Sequence, residues 1–256
     1  MKNDGTARKI PRKRGVYLLP NILTTANLFC GFYAMLASMQ GGYELASIVL
    51  VVAMVLDSLD GRIARMTNTM SKFGAEFDSL ADLVTFGVAP AILAYSWSLS
   101  AYGKWGWLVA FLFVVCGALR LARFNIQIGI VESRVFNGLP IPGAASVVAT
   151  GTMLYFYLGG EGKYHDIPIL IVVAALALLM VSNIKYYSFK DLNFFSRKPF
   201  MSFVLILIVL IIVAAEPQIT LFIFSVSYSL SGPCWWLIRH CRTTSKEKQE
   251  ASLKVP

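Results

Sequence analysis

The chain has 256 residues, 57% of them hydrophobic and 14% charged, with a mean hydropathy of +0.64 and a net charge of +9. A soluble domain carries about a quarter charged residues, so this composition excludes an ordinary water-soluble globule and predicts an integral membrane protein. An open sheet would leave backbone groups unsatisfied in lipid, and runs such as "VLILIVLIIVAA" lack the alternation a barrel needs, which leaves an all-α, polytopic helical bundle.

In chain order, residues 1–15 form a basic segment, 16–240 a membrane-embedded domain and 241–256 a polar tail. The basic start followed by an apolar run has the outline of a signal peptide. The run is too long for one, holds Pro20, Asn21 and Asn27, and is followed by no small-x-small cleavage site; it is expected to be retained. Eight spans are predicted at 17–39, 44–65, 74–99, 105–127, 142–158, 167–185, 200–215 and 218–238. Gly41-Gly42, the loop around Lys72, Tyr102-Gly103, 129–142, 159–166, 190–199 and Glu216-Pro217 separate them. With the N-terminus in the cytosol, every one of the 23 basic residues except Lys104 and Lys163 falls on the cytosolic side. That bias supports the orientation and the even number of spans. It also explains the positive charge without nucleic acid, since the basic residues lie between apolar spans and suit anionic headgroups.

Smaller features fit the same frame. Asn21, Thr24 and Asn27 form a polar stripe at helical spacing in the first span, suited to interhelical hydrogen bonds or to contact with a nucleotide or headgroup. Cys30, Cys116 and Cys234 lie in apolar spans, and no pair among the 4 cysteines has zinc-ligand spacing; they read as small core residues. The 2 histidines, His165 and His240, are too few for a histidine-rich metal site. Trp105, Trp107, Trp235 and Trp236 are placed as interfacial anchors.

The second and third spans carry the unexpected chemistry. Asp57 and Asp60, three residues apart, share one helix face, and Asp78 and Asp82, four apart, share another. The hairpin turns between Arg65 and Gly74, which puts Asp57 and Asp82 each about 12 Å from the turn at 1.5 Å per residue. All four carboxylates can then meet just inside the cytosolic membrane surface. Burying a single carboxylate there costs at least a few kcal/mol, and four repel one another as well. Mg²⁺ or Mn²⁺ resolves the conflict, because hard divalent cations prefer carboxylate oxygen and keep open positions. A pair of such ions would balance the charge and suit displacement at phosphorus. Gly61, Ala64 and Gly74 leave room beside the aspartates for a nucleotide or a close helix contact, and Arg65 offers a bidentate donor for a phosphate.

The segment Asp57-Ser-Leu-Asp60-Gly61-Arg-Ile-Ala64-Arg65, with Gly74, Asp78 and Asp82 following, reads D-x2-D-G-x2-A-R-x8-G-x3-D-x3-D. It resembles, without a departure, the signature of the CDP-alcohol phosphatidyltransferases. "LPNILTTANLFCGF", "LRLARFN" and "FNGLPIPGAA" are similar to the serine-using, membrane-embedded branch of that family. Together these stretches cover about Arg14 to Thr150.

The resemblance implies a six-helix core, so two C-terminal helices would be additional. It implies transfer of a phosphatidyl group from CDP-diacylglycerol to the hydroxyl of L-serine, giving phosphatidylserine and CMP. Asp57, Asp60 and Asp78 would hold one ion and Asp57, Asp78 and Asp82 the other, with Asp82 as general base. Asn21, Thr24, Gly61, Ala64, Arg65, Ser71 and Gly74 would line the CDP-lipid site. Arg120 and Arg123 read either as a snorkelling, positive-inside flank or as the capture point for an acceptor carboxylate or a phosphate. Asn125 and Asn137 join them as candidate acceptor contacts. Glycerol 3-phosphate or inositol phosphate is the alternative acceptor, and such a substrate should demand more basic residues around its phosphate. A cation carrier would need polar residues continuing to the outer face, where the second and third spans offer little beyond scattered Ser, Tyr and Glu44. The resemblance also suggests a homodimer in a bacterial inner membrane, with the active site on the cytosolic side.

Overall fold

The computed structural model describes residues 18–67, 71–127, 135–164, 167–187 and 199–252. Among them, helix α1 is Leu18–Met39 and α2 is Tyr43–Met66; α3 is a continuous rod, Lys72–Trp97; α4 is Lys104–Gln127, α5 Ile141–Tyr157, α6 Pro168–Val181, α7 Pro199–Ala215 and α8 Pro217–Ser252. A short antiparallel pair, β1 (Val135–Asn137) and β2 (Lys185–Tyr187), joins the loops before α5 and after α6. The protein is an all-α membrane bundle. Pro20–Met39, Lys72–Trp97, Lys104–Ile126 and Pro217–Ile238 are each long and apolar enough to cross a bilayer on their own. The remaining helices are shorter, except α2, which carries Glu44, Asp57, Asp60, Arg62 and Arg65.

Two predicted limits change. The sixth helix stops at Val181, four residues early, because Ser182 turns extended and Lys185–Tyr187 pairs with β1. The eighth continues past 238 through most of the polar tail, to Ser252. The basic segment 1–15 lies outside the described residues.

Small residues share the helix contacts with large ones, and many large apolar side chains lie outside. Ala34, Ala46, Ala53, Ala89 and Ala94 are fully buried between helices, while Phe29, Val52, Val55 and Phe111 face outward. Small residues let helix backbones approach, and lipid solvates the large ones. A close approach of two helices sits beside the aspartates. A Cβ on Gly31 of α1 would lie 2.6 Å from Thr85 Oγ1 and 2.7 Å from Thr85 Cα of α3, so only glycine fits. Thr85 also donates its hydroxyl to the Asn27 carbonyl at 3.2 Å. Around this crossing α3 widens into a π-turn, Leu83–Val88, closed by the Ala89 N–H donating to Val84 C=O. Pro90 follows and has no N–H to offer Phe86, a local reason for the shifted register.

Candidate functional site

Three helices build the site. α1 packs along α2 and against the start of α3, and α2 and α3 meet through their aspartate side chains. Ser71 begins α3 by accepting the Gly74 N–H at 2.9 Å, an N-cap that fixes the rotation of the helix and hence of Asp78 and Asp82. Gly74 brings α3 close to α1, since a Cβ there would meet Ser71 Oγ at 3.1 Å and Asn21 Oδ1 at 3.4 Å. Gly61 does the opposite: a Cβ on it meets nothing within 4 Å, so the space beside it is open. Ala64, half-buried, lies one turn on; the Arg65 side chain lies outside the described residues.

The carboxylates converge. Asp57, Asp60 and Asp78 each offer an oxygen within 4.8 Å of the other two. Asp82 lies one turn deeper than Asp78, with its side chain in hydrogen-bonding reach of Asp57. Asp60 is almost fully buried, and its Oδ2 accepts the Thr24 hydroxyl at 3.1 Å. That same hydroxyl leans on the Pro20 carbonyl at 3.1 Å, so Thr24 is committed to holding a carboxylate. Asp78 Oδ1 and Asp82 Oδ1 are buried and have no hydrogen-bond partner among the described residues. Buried polar atoms are nearly always paired, so unpaired anionic oxygens aimed at shared space fit a cationic ligand. A hard divalent cation matches the donor set, which is all carboxylate oxygen.

The arginines separate. Arg120 of α4 lies in electrostatic range of Asp82 and of Tyr228 in α8, with its guanidinium 5.6 Å above the Phe124 ring. Its Nε is buried and unpartnered among the described residues. Arg123 turns away and donates from Nη2 to Asn183 Oδ1 at 2.9 Å, tying α4 to the end of α6. Asn125 donates to Ser79 Oγ at 3.0 Å, next to Asp78. Asn137 lies in β1 opposite Lys185, and its side chain is outside the described residues. Asn27 is fully buried, and neither polar atom of its amide has a partner among the described residues.

A profile of the CDP-alcohol phosphatidyltransferase family matches residues 17–182. The chain belongs to this family. The match takes in α1 to α6 and ends before α7. A CDP-diacylglycerol–serine O-phosphatidyltransferase of Helicobacter pylori (strain ATCC 700392 / 26695) is 39% identical over 228 residues, covering 87% of this chain and 92% of that one. One of Mycobacterium bovis (strain ATCC BAA-935 / AF2122/97) is 32% identical over 262 residues, covering 94% and 89%. A shorter one, of Bacillus subtilis (strain 168), is 38% identical over 174 residues, covering 67% of this chain and 91% of its own length.

Sequence reasoning missed the residues that fasten α8. Pro233 lies inside that helix and has no N–H for the Ser229 carbonyl. Tyr186 of β2 fills the gap, donating its hydroxyl to Ser229 O at 3.0 Å. Burial and the neighbouring Tyr228 push the Tyr186 phenol to about 12, so it remains a donor throughout the physiological range. Its ring presses on Gly232, where any Cβ would overlap it. A proline within an apolar helix was the available signal, because it predicts a freed carbonyl four residues earlier.

Proposed function

We propose that this chain transfers the phosphatidyl group of CDP-diacylglycerol to the hydroxyl of L-serine, releasing CMP, at the cytosolic face of a bacterial inner membrane. The observation that carries the reading is the meeting of four aspartates around buried oxygens that no described protein group satisfies. The names of the relatives support serine as acceptor, and the distribution of basic residues supports the cytosolic side.

Asp57, Asp60 and Asp78 are the residues that would hold Mg²⁺ or Mn²⁺, with Asp82 completing a second position beside Asp57 and Asp78. Bound there, divalent ions would supply charge neutralisation for the diphosphate and for the departing CMP. Thr24 holds the Asp60 carboxylate in place from α1. The open side of Gly61 gives the nucleotide diphosphate its approach, lined by Asn21, Ala64, Ser71 and Gly74, and Arg65 is assigned as a phosphate partner. Asp82, one turn deeper than Asp78 and beside Asp57, takes the proton from the serine hydroxyl, which is too weakly acidic to attack unaided at neutral pH. Arg120 lies in electrostatic range of Asp82 with an Nε–H unpartnered among the described residues, which suits the carboxylate of an amino-acid acceptor. The lipid tails stay in the bilayer, as a substrate with one apolar and one charged end requires.

The test is an acceptor panel on purified protein with CDP-diacylglycerol and Mn²⁺ or Mg²⁺. L-Serine should give CMP and phosphatidylserine, and Asp82→Asn should lower turnover by at least about a thousandfold with the melting temperature retained. Turnover with glycerol 3-phosphate but not with serine would reject the acceptor and keep the family.

A further inference from the structure

Helices α7 and α8 lie beyond the family match, and the geometry of α8 gives them a task. α8 runs antiparallel along α5. Tyr157 donates its hydroxyl to Glu216 at 2.6 Å at one end, Phe222 covers Gly151 in the middle, and the Tyr228 ring lies on Gly143 at the other end. At Gly143 a Cβ would meet Tyr228 Cε1 at 3.2 Å, so the small residue admits the ring. Tyr186 fixes the same turn of α8 from the opposite side, through Ser229 and Gly232, and its ring centroid is 5.8 Å from that of Tyr228. The Tyr228 ring is thus held on two sides, and Arg120 lies in electrostatic range both of Tyr228 and of Asp82.

We propose that α8 supplies Tyr228 to the acceptor pocket, where its phenol and the Arg120 guanidinium together receive the carboxylate of the amino-acid substrate. The inference rests on the functional reading above and extends it to a helix outside the family core. The buried Nε–H of Arg120, unpartnered among the described residues, provides one charge-assisted donor, and the phenol O–H would add a second. Anchoring the carboxylate there leaves the serine hydroxyl directed toward Asp82. In this assignment Tyr228 sharpens acceptor recognition and is not required for the transfer itself.

The experiment compares wild type with Tyr228→Phe, which keeps the ring on Gly143 and removes only the hydroxyl. The KM for L-serine should rise about tenfold, with the KM for CDP-diacylglycerol and the melting temperature unchanged. The preference for L-serine over ethanolamine, which carries the hydroxyl and amine but no carboxylate, should fall by a similar factor. A merely structural role would not move that ratio. Gly143→Ala, which shifts the ring by a few tenths of an ångström, should raise the serine KM in the same direction. An unchanged serine KM and an unchanged preference in Tyr228→Phe would overturn the inference while leaving the reaction intact. A wild-type enzyme that releases no CMP with serine would instead overturn the functional reading.

Discussion

Trp97 and Asp82 belong to the same helical rod, and their surroundings differ in kind. Trp97 ends α3 inside a closed aromatic cluster. Its ring lies 5.3 Å from Tyr155 and 5.7 Å from Tyr164, those two are 5.3 Å apart, and Phe156 is 5.2 Å from Tyr155. The loop is sewn on by the Tyr164 N–H donating to the Trp97 carbonyl at 3.1 Å. Around Asp82, like charges crowd together, buried oxygens go without partners, and the flank at Gly61 is open. The aromatic end gains stability from its packing and leaves only neutral groups, the Trp97 indole N–H and the Ser98 hydroxyl, buried without a hydrogen-bond partner among the described residues. The aspartate end spends stability on an arrangement that only a bound cation and an anionic substrate would complete. The proposed reaction is assigned to the end of the bundle where like charges crowd and anionic oxygens lack partners among the described residues.

Breaking the aromatic end should damage the fold and spare recognition. Trp97→Ala removes a side chain only 3% exposed. It should destabilise the protein by about 3–5 kcal/mol, as large-to-small core changes do. Thermal unfolding in detergent would register the loss, while the KM values of the surviving enzyme should stay near wild type. A wild-type melting temperature would remove the contrast between the two ends.

A subtler change sharpens the contrast from the other side. Thr24→Val keeps shape and deletes the hydroxyl that holds Asp60. A hydrogen bond to a charged group contributes about 1.5–3 kcal/mol. Turnover at limiting metal should fall about tenfold, excess Mn²⁺ should recover most of it, and the melting temperature should move little. A loss that excess metal leaves untouched would assign Thr24 to the lipid substrate instead.

The convergence of the aspartates was legible because it depends on spacing within two helices and on one hairpin, all local quantities. The helix count and the apolar faces were legible for the same reason. What escaped depends on pairs distant in sequence. Thr85 reaches the backbone at Asn27 across 58 positions, and Tyr186 meets the carbonyl left by Pro233 across 43. Thr24, read as a substrate contact, is engaged with Asp60, and Arg123, grouped with Arg120 by spacing, is bonded to Asn183. Periodicity tells which residues share a face but not which partner that face meets, and side-chain commitments of this kind follow from the partner.

The most direct test of the account is a metal titration of the purified, chelator-stripped protein, following CMP release and Mn²⁺ binding in the same samples. Stripped wild type should be inactive, regain turnover as Mn²⁺ saturates the site, and lose both binding and recovery in Asp57→Asn. Sustained turnover in protein freed of divalent ions, or identical Mn²⁺ binding in wild type and Asp57→Asn, would contradict it.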